Sequence, residues 1–191
     1  AAEAPRATKA RIRAWETVNR NPAGDLFIVP EAVSLLESKQ VALLIADYKD
    51  SKPALIVIDT LACSMLGGDE NSPKDVGMLL GAAKRLQGEL ETAVLILHHP
   101  GKNGDLERGH SSLRGACDSM LLVKKTGDKV IVSSHKLREG MAFKALSFQI
   151  VEIGLSVVLK PLDAAADTQG QPTPSSGPHN LLDIHRQSSA I

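Results

Sequence analysis

Ala54-Leu55-Ile56-Val57-Ile58-Asp59-Thr60 decides the fold. Five apolar residues run without a break, three of them β-branched, and the first charge stands at the carboxyl end. Such a run lacks the apolar/polar alternation of a half-exposed strand, and it predicts a strand of a parallel sheet buried on both faces. Ligands of open parallel sheets bind beyond the carboxyl ends of the strands, which is where Asp59 and Thr60 lie. Two readings of Asp59 stand side by side. It is an oxygen donor for Mg²⁺, a cation that prefers oxygen ligands and keeps much of its hydration, or it caps the turn after a buried strand.

Working outward, Thr8 to Val18 has helical spacing around Trp15, and Asn21-Pro22-Ala23-Gly24 ends it. Leu26 to Val29 reads as a short strand, and Pro30 to Asp47 as a helix with Val33, Leu36, Val41, Leu44 and Ile45 inward. Ser72-Pro73 is a cap and first-turn pair for a helix to about Glu91, and Ala93 to Leu97 is the next strand. This β-α-β alternation implies a parallel sheet flanked by helices. From Leu113 the texture changes. Met120 to Lys124, Lys129 to Ser134, Phe143 to Ile150 and Leu155 to Leu159 read as antiparallel strands extending that sheet. Residues 1–161 form the expected core. Residues 162–191, dominated by Ala, Ser, Pro, Gly and Gln, read as a disordered tail or linker, with a short helical turn at Leu181 to Ile184.

The chain has 191 residues, 43% of them hydrophobic, enough for one compact unit and a tail. Its 22 basic and 22 acidic residues cancel, so no bulk field favours nucleic acid or an anionic membrane, and any DNA contact is local. Cys63 and Cys117 are the two cysteines. They have no CxxC spacing, and there is no secretory segment or long apolar run, which predicts a cytoplasmic protein with no membrane span. A chain that opens at Ala1 in dense sequence, without a methionine, reads as a piece of something longer.

Other polar residues cluster at strand ends. Val94 to Leu97 leads into His98-His99-Pro100-Gly101-Lys102, which would lie beside Asp59 if the two strands are neighbours. A polar group there can sense a terminal phosphate. A zinc site with His110, Cys117 and His135 is the rival reading, although no recurrent ligand spacing is present, and successive strand residues face opposite ways. The segment Asn103 to Gly115 holds Arg108, Ser111, Ser112 and Arg114, which with Lys102 suit a phosphate backbone, or make a solvated connector. Lys136 and Arg138, two apart on an extended chain, project the same way toward one anionic target, although hairpin ends often carry solvated basic residues.

In order, these pieces resemble the RecA-like hexameric helicase ATPases, most closely the plasmid RepA-type helicases and related AAA-family ATPases of phages and mobile elements. The resemblance runs from about Ala1 to Leu159. It rests on Ala2-Glu3-Ala4-Pro5 before Arg11-Ile12-Arg13-Ala14-Trp15-Glu16, on Ile58-Asp59-Thr60, on His98 to Lys102 with Arg108-Gly109-x-Ser111-Ser112, and on Lys136-x-Arg138-x-Gly140. It implies an α/β RecA-like P-loop NTPase core that uses ATP and Mg²⁺ in DNA replication. The implied roles are Glu3 as general base, Asp59 as the magnesium carboxylate, and His99 as γ-phosphate sensor. Lys136 and Arg138 would reach the neighbouring subunit's nucleotide. Arg11, with Arg13 as rival, would lie near the phosphates with Thr60 and His98. Lys102, Arg108, Ser111, Ser112 and Arg114 would face single-stranded DNA in the channel of a homo-oligomeric, hexameric ring.

One departure is large. The family's G-x-x-x-x-G-K-[ST] loop, with its strand and helix, does not occur in these residues; the one Gly-Lys pair, Gly101-Lys102, is followed by Asn103. That loop's amides and lysine supply most of the grip on the β- and γ-phosphates, so this chain alone is expected to bind ATP weakly and hydrolyse little. A non-catalytic module that binds DNA or a replication partner is the alternative, and a recombinase or signalling ATPase on the same fold is a third.

Overall fold

Ser72 starts the helix that organises the core. Its hydroxyl accepts from the Asp75 N–H at 3.3 Å, and Pro73, which has no N–H to lose, occupies the first turn. The resulting helix, Pro73–Leu90 (α3), ends where Glu91 turns into the left-handed region at φ 51°. Its apolar stripe of Val76, Leu79, Leu86 and Leu90 is buried. The computed structural model describes residues 5–99 and 112–162 of the chain.

Around α3 the described elements are helices Pro5–Asn19 (α1), Ser38–Tyr48 (α2) and Ser112–Ala116 (α4), and strands Leu55–Ile58 (β1), Ala93–Ile96 (β2), Ser119–Thr126 (β3), Lys129–Leu137 (β4), Leu146–Ile153 (β5) and Ser156–Pro161 (β6). The fold is mixed α/β. β1 and β2 pair in parallel, Leu55 opposite Ala93 and Ile58 opposite Ile96. Val41 and Ile45 of α2, the stripe of α3 and Leu113 of α4 make one core cluster. Ile56, Ile58, Val94 and Ile96 pack against it from the sheet.

Burial alternates along β1 and β2, which corrects the expectation of a sheet covered on both faces. Leu55 and Val57 are each 51% exposed, and Leu95 and Leu97 share their side of the sheet. Among the described residues, the helical core covers one face only. The bonds Ala93 N to Ala54 O and Leu97 N to Ile58 O turn the even-numbered residues of β1 toward β2. Leu55 and Val57 therefore direct their own N–H and C=O groups to the opposite edge, where no described strand pairs.

Three further expectations change. Leu26 to Val29 forms no strand; together with residues of β1 it lines a cavity of about 820 Å³. α2 starts at Ser38 rather than Pro30, because the chain before it is drawn into other bonds: Ser34 N to Gln40 Oε1 at 2.8 Å and Leu35 N to Ser64 O at 2.8 Å. The antiparallel strands do not extend the parallel sheet. They form a second sheet in the order β3-β4-β5-β6, preceded by α4, which packs against α3. α1 lies against β6, bringing the first described helix to the last strand.

Candidate functional site

The β1–β2 register continues past the strand ends. Leu97 N donates to Ile58 O at 2.9 Å, and Leu61 N donates to Leu97 O at 2.8 Å. Asp59 and Thr60 are thereby held beside Leu97 and His98 at the carboxyl edge of the sheet, the adjacency expected if the strands are neighbours. Asp59 and His98 are half-buried and His99 is exposed. The Asp59–Thr60 peptide bond is cis. Leu61 is buried in the core and the 3-10 turn Ala62–Ser64 follows it, so the residues after Asp59 are anchored.

Asp59, Thr60, Cys63 and Ser64 line one end of the 820 Å³ cavity, and Thr8 and Ile12 of α1 reach the same space. Arg11, between them in sequence, is exposed and has an interaction partner within the chain; Arg13 is exposed as well. The other walls are mostly apolar, with Phe27 and Tyr48 in edge-on contact at 5.6 Å between ring centres, and Asp25, Glu31 and Lys52 also line the space.

The donor set can be tested against ATP and Mg²⁺. A half-buried carboxylate at a sheet edge is a hard oxygen ligand of the kind Mg²⁺ takes one or two of, the remainder being water and phosphate oxygens. Asp59 fits that role. Among the described residues no group of three or more His, Cys, Asp or Glu gathers to hold a metal by itself. For the phosphates the fit is partial, since the described residues offer basic side chains but no glycine-rich cradle.

A second group forms at the far end of α4. The last carbonyls of a helix have no partner in the helix itself. Here Lys136 Nζ donates to Arg114 O at 2.5 Å and to Cys117 O at 2.7 Å, and Arg138 Nη2 donates to Gly115 O at 3.1 Å. Arg138 Nη1 also meets Asp118 Oδ1 at 2.6 Å, and Arg114 Nη1 lies 2.8 Å from His135 Nε2. The residues set apart in the sequence as phosphate-directed, Lys136 on β4 and Arg138 just past its end, thus sit with the DNA-directed Arg114 of α4, while Ser112 stands at the other end of that helix.

A bulge makes this possible. Leu121 pairs with Ser134 but Met120 pairs with Lys136, so His135 is the extra residue, and every pairing beyond it shifts by one. Asp118 then lies opposite Arg138, whose N–H donates to Asp118 O at 2.8 Å. Sequence reasoning missed Asp118 altogether and weighed His135 only as a zinc ligand. Counting outward from the Gly127-Asp128 turn without the bulge sets Asp118 against Leu137 instead. Glu3, Lys102, Arg108 and Ser111 lie outside the described residues, as do His110 and nearly all of the 162–191 segment.

No curated protein matches the chain. The AAA domain family matches residues 1–105, more than half of the 191, and takes in β1, β2 and the Asp59 edge but not the α4–β4 group. Proteins of that family generally use ATP and Mg²⁺, and the match carries nucleotide binding and an ATPase-like function in general terms. With Asp59 and His98 held side by side at a parallel sheet edge, and more than half of its length matched, this chain belongs to the AAA domain family.

Proposed function

We propose that the chain is the nucleotide-hydrolysing core of a RecA-like motor of the hexameric helicase type, acting on single-stranded DNA in replication. The observation that supports it most is the parallel register that holds Asp59 beside the His98-His99 strand end, in a chain of the AAA domain family. Asp59 presents its carboxylate to Mg²⁺, Thr60 and His98 line the nucleotide side, and His99 senses the terminal phosphate. When bound, Mg²⁺ neutralises charge on the β- and γ-phosphate oxygens. Glu3 takes the proton of the attacking water, and Arg11 lies near the phosphates. Lys136 and Arg138 serve the site of the next subunit in a ring. Lys102, Arg108, Ser111, Ser112 and Arg114 meet the DNA backbone, and residues 162–191 are a tail outside the core.

A second reading has an observation in its favour. These 191 residues contain no Gly-Lys-Ser or Gly-Lys-Thr, which suits a module that binds DNA or a replication protein without turnover. Calorimetric titration of the chain with Mg-ATP, and separately with single-stranded DNA, decides between the two. Nucleotide binding that is lost in Asp59→Ala supports the motor. DNA binding with no nucleotide binding at all, under conditions that detect millimolar affinity, supports the module.

A further inference from the structure

Lys136 and Arg138 are not idle. Between them they make four side-chain contacts to the segment from Arg114 to Asp118, three to main-chain carbonyls and one to a carboxylate. An amine or guanidinium engaged in this way has to let go before it can meet an outside anion, so whatever grips it governs its availability.

Asp118 is the one full charge in that grip. Its place is fixed by the hairpin: β3 begins at the next residue, Ser119 pairs with Leu137, and the Arg138 N–H to Asp118 O bond extends the ladder one step further. The two side chains lie 2.6 Å apart with 67% of the carboxylate and 52% of the guanidinium side chain exposed. An exposed pair of this kind is weak. A polyphosphate offers more charge and the same forked geometry to a guanidinium, so it can displace the carboxylate. The α4 carbonyls carry only partial charge, and they are what the Lys136 amine meets, at Arg114 O and Cys117 O. Arg138 is thus the one of the two that is held by a full charge, and Asp118 supplies it.

We propose that Asp118 is a positioning residue that keeps Arg138 folded back on the end of α4 and sets how readily it is released to a polyphosphate. This rests on the reading of Lys136 and Arg138 as phosphate-directed, and adds to it a competitor built into the same chain. Asp118 touches no substrate. It acts only through Arg138.

The test is a titration of the 191-residue chain with inorganic tripolyphosphate at fixed ionic strength, followed by the Arg138 Nε–Hε resonance and by calorimetry. Asp118→Asn keeps an oxygen that can accept from Arg138 and removes the charge, and it should tighten binding about two- to fivefold, the upper span of a surface ion pair. Asp118→Glu should return the affinity to that of the parent, a rescue that a purely structural role does not require. Arg138→Gln should weaken binding and cancel the gain of Asp118→Asn in the double variant. Equal affinity in the parent and Asp118→Asn, with Arg138→Gln still weakened, overturns the role of Asp118 and leaves the phosphate-directed reading standing. Unchanged affinity in both Arg138→Gln and Lys136→Gln, or no binding by any form, overturns that reading and the role of Asp118 with it. Circular dichroism of each variant confirms that the fold is kept.

Discussion

At the scale of single residues, the two groups make separable predictions. Asp59 is half-buried at a sheet edge, and its carboxylate is the one acidic oxygen donor that β1 delivers there. Asp59→Ala should abolish Mg²⁺-dependent ATP hydrolysis while leaving the unfolding midpoint within a few degrees of the parent. Full activity in that variant means the magnesium carboxylate lies elsewhere. Arg138 works differently. In a form that supports turnover, Arg138→Ala should leave nucleotide affinity nearly unchanged and lower kcat by about 10³-fold or more, because a charge delivered in trans serves the transition state. A large rise in the Kd for ATP, with kcat preserved, contradicts that division of labour. Asp59 was legible because an unbroken apolar run ending in a lone charge needs no partner strand to be recognised. Asp118 was not. Its role depends on His135 being looped out of the β3–β4 ladder, and a one-residue bulge leaves no mark in hydrophobic periodicity.

At the scale of elements, α3 is the clearest case of sequence dictating structure. Ser72-Pro73 sets its start, the stripe from Val76 to Leu90 sets its face, and the structure agrees to within a residue at the carboxyl end. Ser72→Ala should cost about 1 kcal/mol, the usual worth of a cap, and Leu79→Ala about 2–5 kcal/mol, since Leu79 is fully buried among α2, α3 and the sheet. Both are measured by urea denaturation with the slope unchanged. A cost below about 0.5 kcal/mol for Leu79→Ala would mean the core collapses onto the space left behind. Leu26 to Val29 is the opposite case. Its composition is that of a strand, but strand formation is a property of two partners, and no described strand pairs with it. Propensity named the candidate and could not supply the neighbour.

At the scale of the whole molecule, the sequence pointed to one continuous sheet where the structure has two. The β1-α3-β2 unit and the run of short strands were read correctly as types, while Leu26 to Val29 was not and the two sheets were wrongly joined. Turn spacing carries no record of which sheet a strand joins. Among the described residues no helix is long and apolar enough to cross a membrane. The open edge of β1 has a practical consequence for anyone handling the protein. Leu55 and Val57 offer main-chain groups that no described strand pairs, flanked by exposed apolar side chains, a template on which further copies can lay down strands. The formal charge is +0 at pH 7 and the isoelectric point about 7.2, so copies do not repel one another in neutral buffer. Turbidity at neutral pH should rise steeply with concentration, and Val57→Lys, which plants a charge on that edge, should suppress it.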